Sequence, residues 1–239
     1  MIEVRDLTIA FEGEPVLANI SLQIPKREIT MIMGQSGSGK SVLMKSIEGL
    51  YRPISGSISI DGEDVFSASP KALVKMRKKS AMLFQNSALL DSLTVYQNVA
   101  LPLVEHSDIT GEEIFELVSE KLELVGLAGI FDKMPSELSG GMKKRVALAR
   151  AIIMQPDYII YDEPTTGLDP IIASEIVELI IKLHNSYDIA SIIISHDLEC
   201  LRRLSGRVVM IHDAKIIFDG KYNDFMNSKI EHIRQFLGK

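Results

Sequence analysis

The fold is decided by residues 29–41, which read ITMIMGQSGSGKS. The first five, Ile29–Met33, are apolar or β-branched, as in a strand that is covered on both faces. The remainder fits the pattern G-x-x-x-x-G-K-[ST], and we expect a helix to begin near Lys40. Glycines in such a loop allow backbone N–H groups to turn inward around phosphate oxygens at the positive end of the helix. The stretch therefore predicts a binding site for a nucleoside triphosphate.

The side chains of this loop have predicted roles of their own. Lys40 would place a positive charge beside the β and γ phosphates, and the hydroxyl of Ser41 would bind Mg²⁺. We count Lys40 among the predicted catalytic residues as well as among those that bind the nucleotide. The predicted nucleotide-binding residues of this stretch are Gly34, Gln35, Ser36, Gly37, Ser38, Gly39, Lys40, Ser41 and Val42.

Two carboxylates follow a second apolar run, Tyr158–Tyr161. Ligands of open α/β sheets bind at the carboxyl ends of the strands. We therefore expect Asp162 to hold Mg²⁺ through water and Glu163 to accept a proton from the attacking water. Paired acids at a strand end are also common on protein surfaces, so the catalytic interpretation depends on the phosphate loop.

Single polar residues follow two further apolar runs. Gln85 comes after Ala81–Phe84, and His196 comes after Ile192–Ser195. Each would normally be interpreted as a polar cap of its strand. Because neighbouring parallel strands bring their ends to one edge, we instead expect Gln85 to bridge Mg²⁺ and the attacking water, and His196 to donate to the γ-phosphate.

Apolar runs alternate with helical segments along most of the chain, which is the pattern of a parallel α/β sheet. The predicted strands are Ile29–Met33, Ala81–Phe84, Tyr158–Tyr161, Ala190–Ile194 and Arg207–Ile211, and the predicted helices are Lys40–Leu50, Glu112–Val125, Met142–Met154 and Ile171–Asn185. The stretch Asp91–Arg150 has helical periods and almost no strand signal, so we interpret it as a helical insertion.

The N-terminal region has a different pattern. Ile2–Phe11 and Ile20–Ile24 alternate apolar and polar residues, and Ser57–Ile60 followed by Asp61 and Gly62 is typical of a hairpin. These segments predict a small antiparallel sheet.

Composition narrows the class of protein. The chain has 239 residues, 26 Lys and Arg against 32 Asp and Glu, a net charge of −6 and 46% hydrophobic residues. Such a content of apolar residues excludes a disordered chain. The single cysteine, Cys200, cannot form an internal disulfide, which favours a reducing cytosolic setting. No apolar run reaches the roughly 20 residues that span a bilayer. The acidic balance argues against nucleic acid as a partner.

Up to this point a kinase, a GTPase, a RecA-like ATPase and a transporter ATPase all remain open. Leu138–Met142, LSGGM, resembles the LSGGQ signature of ATP-binding cassette (ABC) ATPases, with Met142 in place of Gln. The following residues, KKRVALAR, continue the motif as in that family. Ser139 would cap a helix whose first N–H groups are free, and Gly140 and Gly141 would let a γ-phosphate approach.

The resemblance to ABC ATPases covers essentially the whole chain. It implies a P-loop NTPase fold with a RecA-like parallel-sheet core, an N-terminal antiparallel β-subdomain and an inserted α-helical subdomain, with ATP and Mg²⁺ as cofactors. It also implies that Phe11 stacks on adenine. In chain order, the family motifs are Phe11, the Walker A loop Gly34–Ser41, Gln85, the signature Leu138–Met142, the Walker B strand Tyr158–Glu163, the D-loop Gly167–Asp169 and the switch residue His196.

The expected organisation is one ABC ATPase domain over residues 1–239. Residues 1–90 and 151–225 would form the RecA-like core with its β-subdomain, 91–150 the helical subdomain with the signature, and 226–239 a C-terminal tail. The resemblance further implies that two cassettes pair head to tail as a homodimer. The signature of one would then close over ATP on the other, with Asp169 helping to bind the nucleotide across the interface and to place Glu163.

Within the family, six segments are similar to the ATPases of Mla/Mce-type lipid transporters. The segments are 39–45, 82–95, 98–106, the signature with Met at 138–142, 161–171 and 233–237. This resemblance implies that the chain drives transport of a lipid, in particular a phospholipid, through integral membrane permease subunits. Lipid-binding substrate proteins of the same complex would be further partners, and the expected location is the cytoplasmic face of the bacterial inner membrane.

Parts of the sequence are also compatible with other functions. Within transporters, lipoprotein release and small-solute import remain alternatives. A non-transport ABC ATPase of DNA repair, translation or cofactor assembly is opposed by the single short cassette and the acidic balance. An inactive binding scaffold is opposed by the complete set of catalytic residues. The apolar segment Gln85–Glu105 is the expected contact for a permease.

Overall fold

Two β-sheets and nine helices make up the protein, and the computed structural model describes residues 1–239. The strands are β1 (Ile2–Phe11), β2 (Glu14–Ile24), β3 (Ile29–Met33), β4 (Ser55–Ile60), β5 (Glu63–Asp64), β6 (Ser80–Leu83), β7 (Tyr158–Asp162), β8 (Ala190–Ile194), β9 (Arg207–His212) and β10 (Lys215–Lys221). The helices are α1 (Lys40–Ile47), α2 (Pro70–Lys79), α3 (Val95–His106), α4 (Glu112–Leu124), α5 (Gly140–Ile152), α6 (Pro170–Tyr187), α7 (Leu198–Leu204), α8 (Tyr222–Met226) and α9 (Glu231–Phe236).

The larger sheet has six strands in the order β10-β9-β3-β8-β7-β6. The five strands from β9 to β6 are parallel, and β10 joins the edge as an antiparallel strand. The carboxyl ends of β3, β6, β7 and β8 therefore lie at one edge of the sheet, which is where ligands bind in open α/β folds. This order brings together the residues that follow four of the predicted strands.

Both faces of this sheet are covered, which explains the continuous apolar runs. Along β3, Met31 and Met33 belong to a core of 35 buried residues, whereas Ile32 belongs to a second core of 23. The same division separates Ile159 from Ile160 in β7. Side chains alternate between the faces of a strand, so a strand that is covered on both sides has no polar face.

The smaller sheet is antiparallel, in the order β2-β1-β4-β5, as the N-terminal pattern predicted. The predicted strand Ile20–Ile24 is only the second half of β2. The first half begins at Glu14, which pairs with Phe11 at the end of β1. The residues of this first half lack a clear alternation of apolar and polar side chains. They form a strand because they pair with β1.

The predicted hairpin between β4 and β5 is confirmed, and its turn holds a cluster of charges. Asp61 accepts hydrogen bonds from the ammonium of Met1 at 2.6 Å, from Lys79 at 2.9 Å, from Lys26 at 3.1 Å and from the hydroxyl of Tyr158 at 2.9 Å. Burial alone would raise the pKa of Asp61, but these four donors together hold it well below its ordinary value. The turn thereby ties the N-terminus and the end of α2 to β7.

Residues 91–150 contain α3, α4 and most of α5, which ends at Ile152, and no strand. The loop before α3 is held by Asn98, whose buried amide group donates to the carbonyls of Leu90, Leu93 and Thr94 at 3.0–3.1 Å and accepts from the N–H of Leu90 at 2.8 Å. One buried amide thus ties this loop to the start of α3, in addition to the backbone bonds that the carbonyls of Leu90 and Thr94 accept there.

Among the helices, α2, α8 and α9 have no predicted counterpart, and several others differ from the expectation in their bounds. The helix predicted over Lys40–Leu50 ends at Ile47, and Gly49 follows with a φ of +73°. Helix α2 was not predicted, because its only buried residue is Met76 and its remaining positions are mostly charged. None of the helices combines the length and the apolar character needed to cross a bilayer.

Candidate active site

The loop between β3 and α1 closes around a cavity of about 510 Å³ at the carboxyl edge of the sheet. Gly39 immediately precedes α1 with a φ of +97°, a conformation that other residues rarely adopt. A Cβ atom at Gly39 would lie 2.8 Å from the carbonyl of Val16 and 2.7 Å from the side chain of Leu17. The glycine is therefore required both by the turn and by the close approach of β2.

Lys40 lies at the first position of α1, and its side chain points back into the loop. Its Nζ donates to the carbonyls of Gly34 and Gln35, both at 2.8 Å. Burial lowers the pKa of the Lys40 ammonium, while the carboxylates of Glu163 and Asp162 act in the opposite direction. The cation is thus held at the centre of the loop, where a phosphate would meet it.

Ser41 and Asp162 bring two hard oxygen donors together. The Oγ of Ser41 lies 3.5 Å from Oδ1 of Asp162. Burial raises the pKa of Asp162, and the charge of Glu163 raises it further, while Ser41, Lys45 and Lys40 act against them. A hydroxyl and a desolvated carboxylate fit Mg²⁺, which binds through one or two protein oxygens together with phosphates and water. No group of three or more His, Cys, Asp or Glu side chains forms a metal site by itself.

Glu163 is held at both carboxylate oxygens. Its Oε1 lies 2.8 Å from Nδ1 of His196, and its Oε2 accepts from the hydroxyl of Thr166 at 3.1 Å. The backbone N–H of Glu163 donates to the carbonyl of Ile194 at 2.9 Å, and its φ of +48° is unusual for a side-chain-bearing residue. Such a conformation persists only where neighbours fix it, and it turns the carboxylate into the cavity.

The predicted phosphate and catalytic residues meet in this one cavity. Its lining includes Lys40, Gln85, Asp162, Glu163 and His196. From the loop, the lining residues are Gln35, Ser36, Gly37, Gly39, Ser41 and Val42. Gly34 and Ser38 belong to the loop but do not line the cavity.

The apolar part of the cavity lining was largely missed from the sequence. It consists of Val16, Val42 and Phe236. Val16 is an ordinary residue of β2, and Phe236 lies in α9, about 200 positions from the phosphate loop, so no local signal marks either one. Phe11 does not line the cavity, but packs edge to face on Tyr51 with ring centroids 5.2 Å apart. The adenine contact expected of Phe11 stays a prediction.

The signature residues lie outside this cavity. Ser139 caps α5, its Oγ accepting from the N–H of Met142 at 3.3 Å, and both Ser139 and Gly140 are exposed. Gly141 packs on Ile172, since a Cβ atom there would lie 2.6 Å from its Cγ2. Asp169 caps α6, accepting from two backbone N–H groups at 3.0 Å. Ser139, Gly140 and Asp169 are therefore on the surface of the single chain, whereas Gly141 is buried.

Comparison with known proteins agrees with this arrangement. The profile of the family described as ABC transporter matches residues 17–166. The chain is 42% identical over 237 residues to the intermembrane phospholipid transport system ATP-binding protein MlaF of Haemophilus influenzae. That alignment covers 99% of this chain and 90% of that protein. The chain is also 39% identical over 236 residues to the probable ribonucleotide transport ATP-binding protein mkl of Mycobacterium leprae. That alignment covers 99% of this chain and 68% of that protein.

Solved structures give the same result. The dimeric post-hydrolysis state of the ATP-binding cassette MJ0796, bound to ADP and Pi, superimposes with a TM-score of 0.83 at 31% identity. The match covers 93% of this chain and 99% of that one. The predicted fold class is therefore confirmed, and the chain belongs to the ABC transporter family as one of its ATP-hydrolysing cassettes.

Proposed function

We propose that this cassette drives transport of a phospholipid through a membrane permease, and that it does so as a homodimer that closes on ATP. The observation that carries the hydrolytic part is the position of Glu163. Its carboxylate faces the cavity of the phosphate loop and is oriented by His196 and Thr166. A carboxylate held in this way can accept a proton from a water molecule that attacks the γ-phosphate.

The residues around the phosphates divide the remaining work. Lys40 and the N–H groups of the loop bind the β and γ phosphates at the start of α1. Ser41 and Asp162, with Gln85, would hold Mg²⁺, which when bound neutralises charge on the phosphate oxygens. His196 orients Glu163 and presents its imidazole to the cavity. Val16 and Phe236 supply an apolar wall that suits the adenine ring.

The signature of one chain acts, in this proposal, at the nucleotide bound by a second copy. The free N–H groups at the start of α5 favour an anion, and Ser139 and Gly140 leave this helix end exposed. Within one chain these groups do not line the nucleotide cavity. Head-to-tail pairing would bring them to the nucleotide of the partner and would place Asp169 at the interface. Each nucleotide site is thus completed only in the dimer.

A groove beside the active site is the proposed contact for the permease. Its volume is about 390 Å³, and it lies between the end of β6, helix α3 and the end of α5. Phe84 and Leu90 line it with 37% and 46% of their surface exposed, and Leu101 and Met154 also contribute. Phe84 in this groove directly precedes Gln85 in the chain, so the loop can transmit a movement between the permease and the phosphate site.

The cargo and the location follow from the relatives. MlaF is named for intermembrane phospholipid transport and mkl for probable ribonucleotide transport. The identity to MlaF is higher and spans more of that protein, which favours phospholipid as the cargo. The cassette would then lie on the cytoplasmic face of a bacterial inner membrane, attached through permease subunits and in one complex with lipid-binding substrate proteins. We propose no nucleic acid as a partner in this function.

The test is to purify the cassette with its permease from detergent-solubilised membranes and to reconstitute the complex in phospholipid vesicles. We expect extractable phospholipid in the complex and ATP-dependent movement of labelled phospholipid, both with the wild-type chain, and loss of movement with Glu163→Gln. Movement of a labelled ribonucleotide in place of lipid, or absence of any integral membrane subunit, would overturn the proposal.

The groove has its own control. Leu90→Asp should prevent the permease from co-purifying while leaving basal ATP hydrolysis by the cassette unchanged, because Leu90 does not line the nucleotide cavity. Val74→Asp is the matched variant, since Val74 is exposed to a similar degree, 45%, on α2. Equal recovery of the permease with both variants would exclude the groove as the contact.

A further inference from the structure

Lys144 is a buried cation on the second turn of α5, in the run that follows the signature, and no role has been assigned to it above. Only 3% of its surface is exposed, and its neighbour Lys143 is more exposed. Its Nζ donates to the carbonyl of Gln85 at 2.5 Å and lies 3.5 Å from the carbonyl of Glu163. One ammonium group therefore contacts the backbone of both residues that face the attacking water.

These two carbonyls belong to the ends of adjacent strands. Leu83 in β6 pairs with Tyr161 in β7, and Gln85 and Glu163 follow two residues later. Lys144 reaches both carbonyls from α5, the helix that starts at the signature. It therefore links α5 to the carboxyl edge of the sheet, where the proposed catalytic residues lie.

The loop after β6 is fastened to the same helix at a second point. Arg150 donates to the carbonyls of Ser87 and Ala88, both at 2.8 Å. Ser87 and Ala88 have φ angles of +62° and +45°, so the loop adopts a backbone conformation that needs external support. Of these two cations, only Lys144 also reaches Glu163.

The burial of Lys144 calls for a functional reason. Its ammonium has no carboxylate within hydrogen-bonding distance and is satisfied by carbonyl oxygens. Burial lowers its pKa, while the charges of Asp162 and Glu163 act in the opposite direction. A buried charge is costly, and an apolar side chain of similar size would fill the space at lower cost if packing were the only requirement.

We propose that Lys144 is a positioning residue that fixes the backbone of Glu163 and Gln85 to the signature helix. When the N-terminus of α5 moves toward a nucleotide, a rigid helix carries Lys144 with it, about 7.5 Å along the axis from Ser139. The carbonyl of Glu163 follows, and its carboxylate reaches the geometry for hydrolysis. This inference rests on the proposed role of Glu163 as the base.

The test compares Lys144→Met with the matched variant Lys143→Met in the full chain. Lys144→Met should lower kcat by about 10-fold or more, the effect of losing a hydrogen bond to a charged group at a positioned site. The KM for ATP, the affinity for ATP and the temperature of unfolding should stay near the wild-type values, as should every property of Lys143→Met. Lys144→Arg keeps a cationic donor and should recover most of kcat.

Two results would overturn the inference. The first is a kcat within about twofold of wild type for Lys144→Met, which is less than one lost charged hydrogen bond explains. The second is a joint fall of kcat, affinity and unfolding temperature that Lys144→Arg does not reverse, which indicates packing alone. If Lys144→Met does not fold, Lys144→Gln is judged by the same criteria.

Glu163→Gln is measured beside these variants. If it hydrolyses ATP like the wild type, the assignment of the base has failed. If it is inactive while Lys144→Met is fully active, only the inference about Lys144 has failed.

Discussion

The imidazole Nδ1 of His196 lies 2.8 Å from Oε1 of Glu163. This contact joins the residues that follow two adjacent parallel strands, β8 and β7. It explains how a carboxylate can be presented to a phosphate cavity in one orientation, since Thr166 fixes the second oxygen at 3.1 Å. In the single chain, residues at the sheet edge therefore orient the carboxylate.

Removing the His196 side chain should leave the carboxylate of Glu163 without a fixed orientation. We expect His196→Ala to lower kcat by about 100-fold, because the carboxylate loses a partner and the γ-phosphate loses a donor. Thr166→Val should have a smaller effect, as it removes only one hydroxyl. Phosphate release under saturating ATP measures both variants. A His196→Ala variant that is less impaired than Thr166→Val would contradict the assigned order of importance.

A negative charge at the signature should block the dimer without disturbing the single chain. Ser139→Asp keeps a side-chain acceptor for the cap of α5 but places a carboxylate where the partner's γ-phosphate would approach. We expect normal binding of ATP by the monomer, no ATP-dependent dimer in sedimentation and no hydrolysis.

The control for that variant is Ser69→Asp. Ser69 also caps a helix, accepting from the N–H of Ala72 at 3.2 Å, but it lies on α2, outside the nucleotide cavity. It should behave like the wild type. Hydrolysis by Ser139→Asp at the wild-type rate would show that the active site is complete within one chain.

The adenine site can be located with two phenylalanine variants. Phe236 lines the cavity and Phe11 does not. We expect Phe236→Ala to weaken ATP binding by about 10-fold, the loss of one aromatic stacking contact, and to leave the binding of tripolyphosphate unchanged. Calorimetric titration gives both affinities. If Phe11→Ala shows the larger effect, the base extends toward the N-terminal sheet and the expectation from the family motif holds.

The turn at Asp61 should contribute stability that depends on pH. We expect Asp61→Asn to lower the free energy of unfolding at pH 7 by about 1–2 kcal/mol, because the donors around Asp61 are partly exposed. The pKa of Asp61 is lower in the folded chain than in the unfolded one. Its contribution is therefore complete above the ordinary value of about 3.9 and is lost as the pH falls toward the folded value.

Urea unfolding at a series of pH values measures this contribution. The difference between wild type and Asp61→Asn should shrink as the pH is lowered from about 5 to about 3. Glu3→Gln is the control, because Glu3 pairs only with the exposed Arg5 on the same sheet. A difference that grows on acidification would show that the pKa of Asp61 is shifted in the other direction.

Much of the fold follows from local patterns in the sequence. The β-strands Ile29–Met33 and Ala190–Ile194 are predicted to the residue, because strands buried on both faces are apolar at nearly every position. The polar residues that end such strands are equally visible, which explains why Asp162, Glu163 and His196 could be selected before the structure was known.

Contacts between distant segments could not be predicted in the same way. Phe236 reaches the cavity only because α9 folds back onto the core through the buried Ile233. Lys143 and Lys144 are the same type of residue, so the sequence does not distinguish them. Lys144 is buried because it lies on the side of α5 that faces the protein interior. Helix α2 was missed because Met76 is its only buried residue and half of its positions are charged. These features depend on tertiary packing, which a single sequence does not record.

The central claim is that two copies of the chain hydrolyse ATP with Glu163 as the base. The most direct measurement is the mass and nucleotide content of Glu163→Gln incubated with ATP and Mg²⁺. We expect a stable dimer that retains ATP, with phosphate release reduced by at least about 100-fold, since an amide cannot accept the proton of the water. Lys40→Ala should instead lose the nucleotide. A Glu163→Gln variant that stays monomeric and releases phosphate at the wild-type rate would contradict the account.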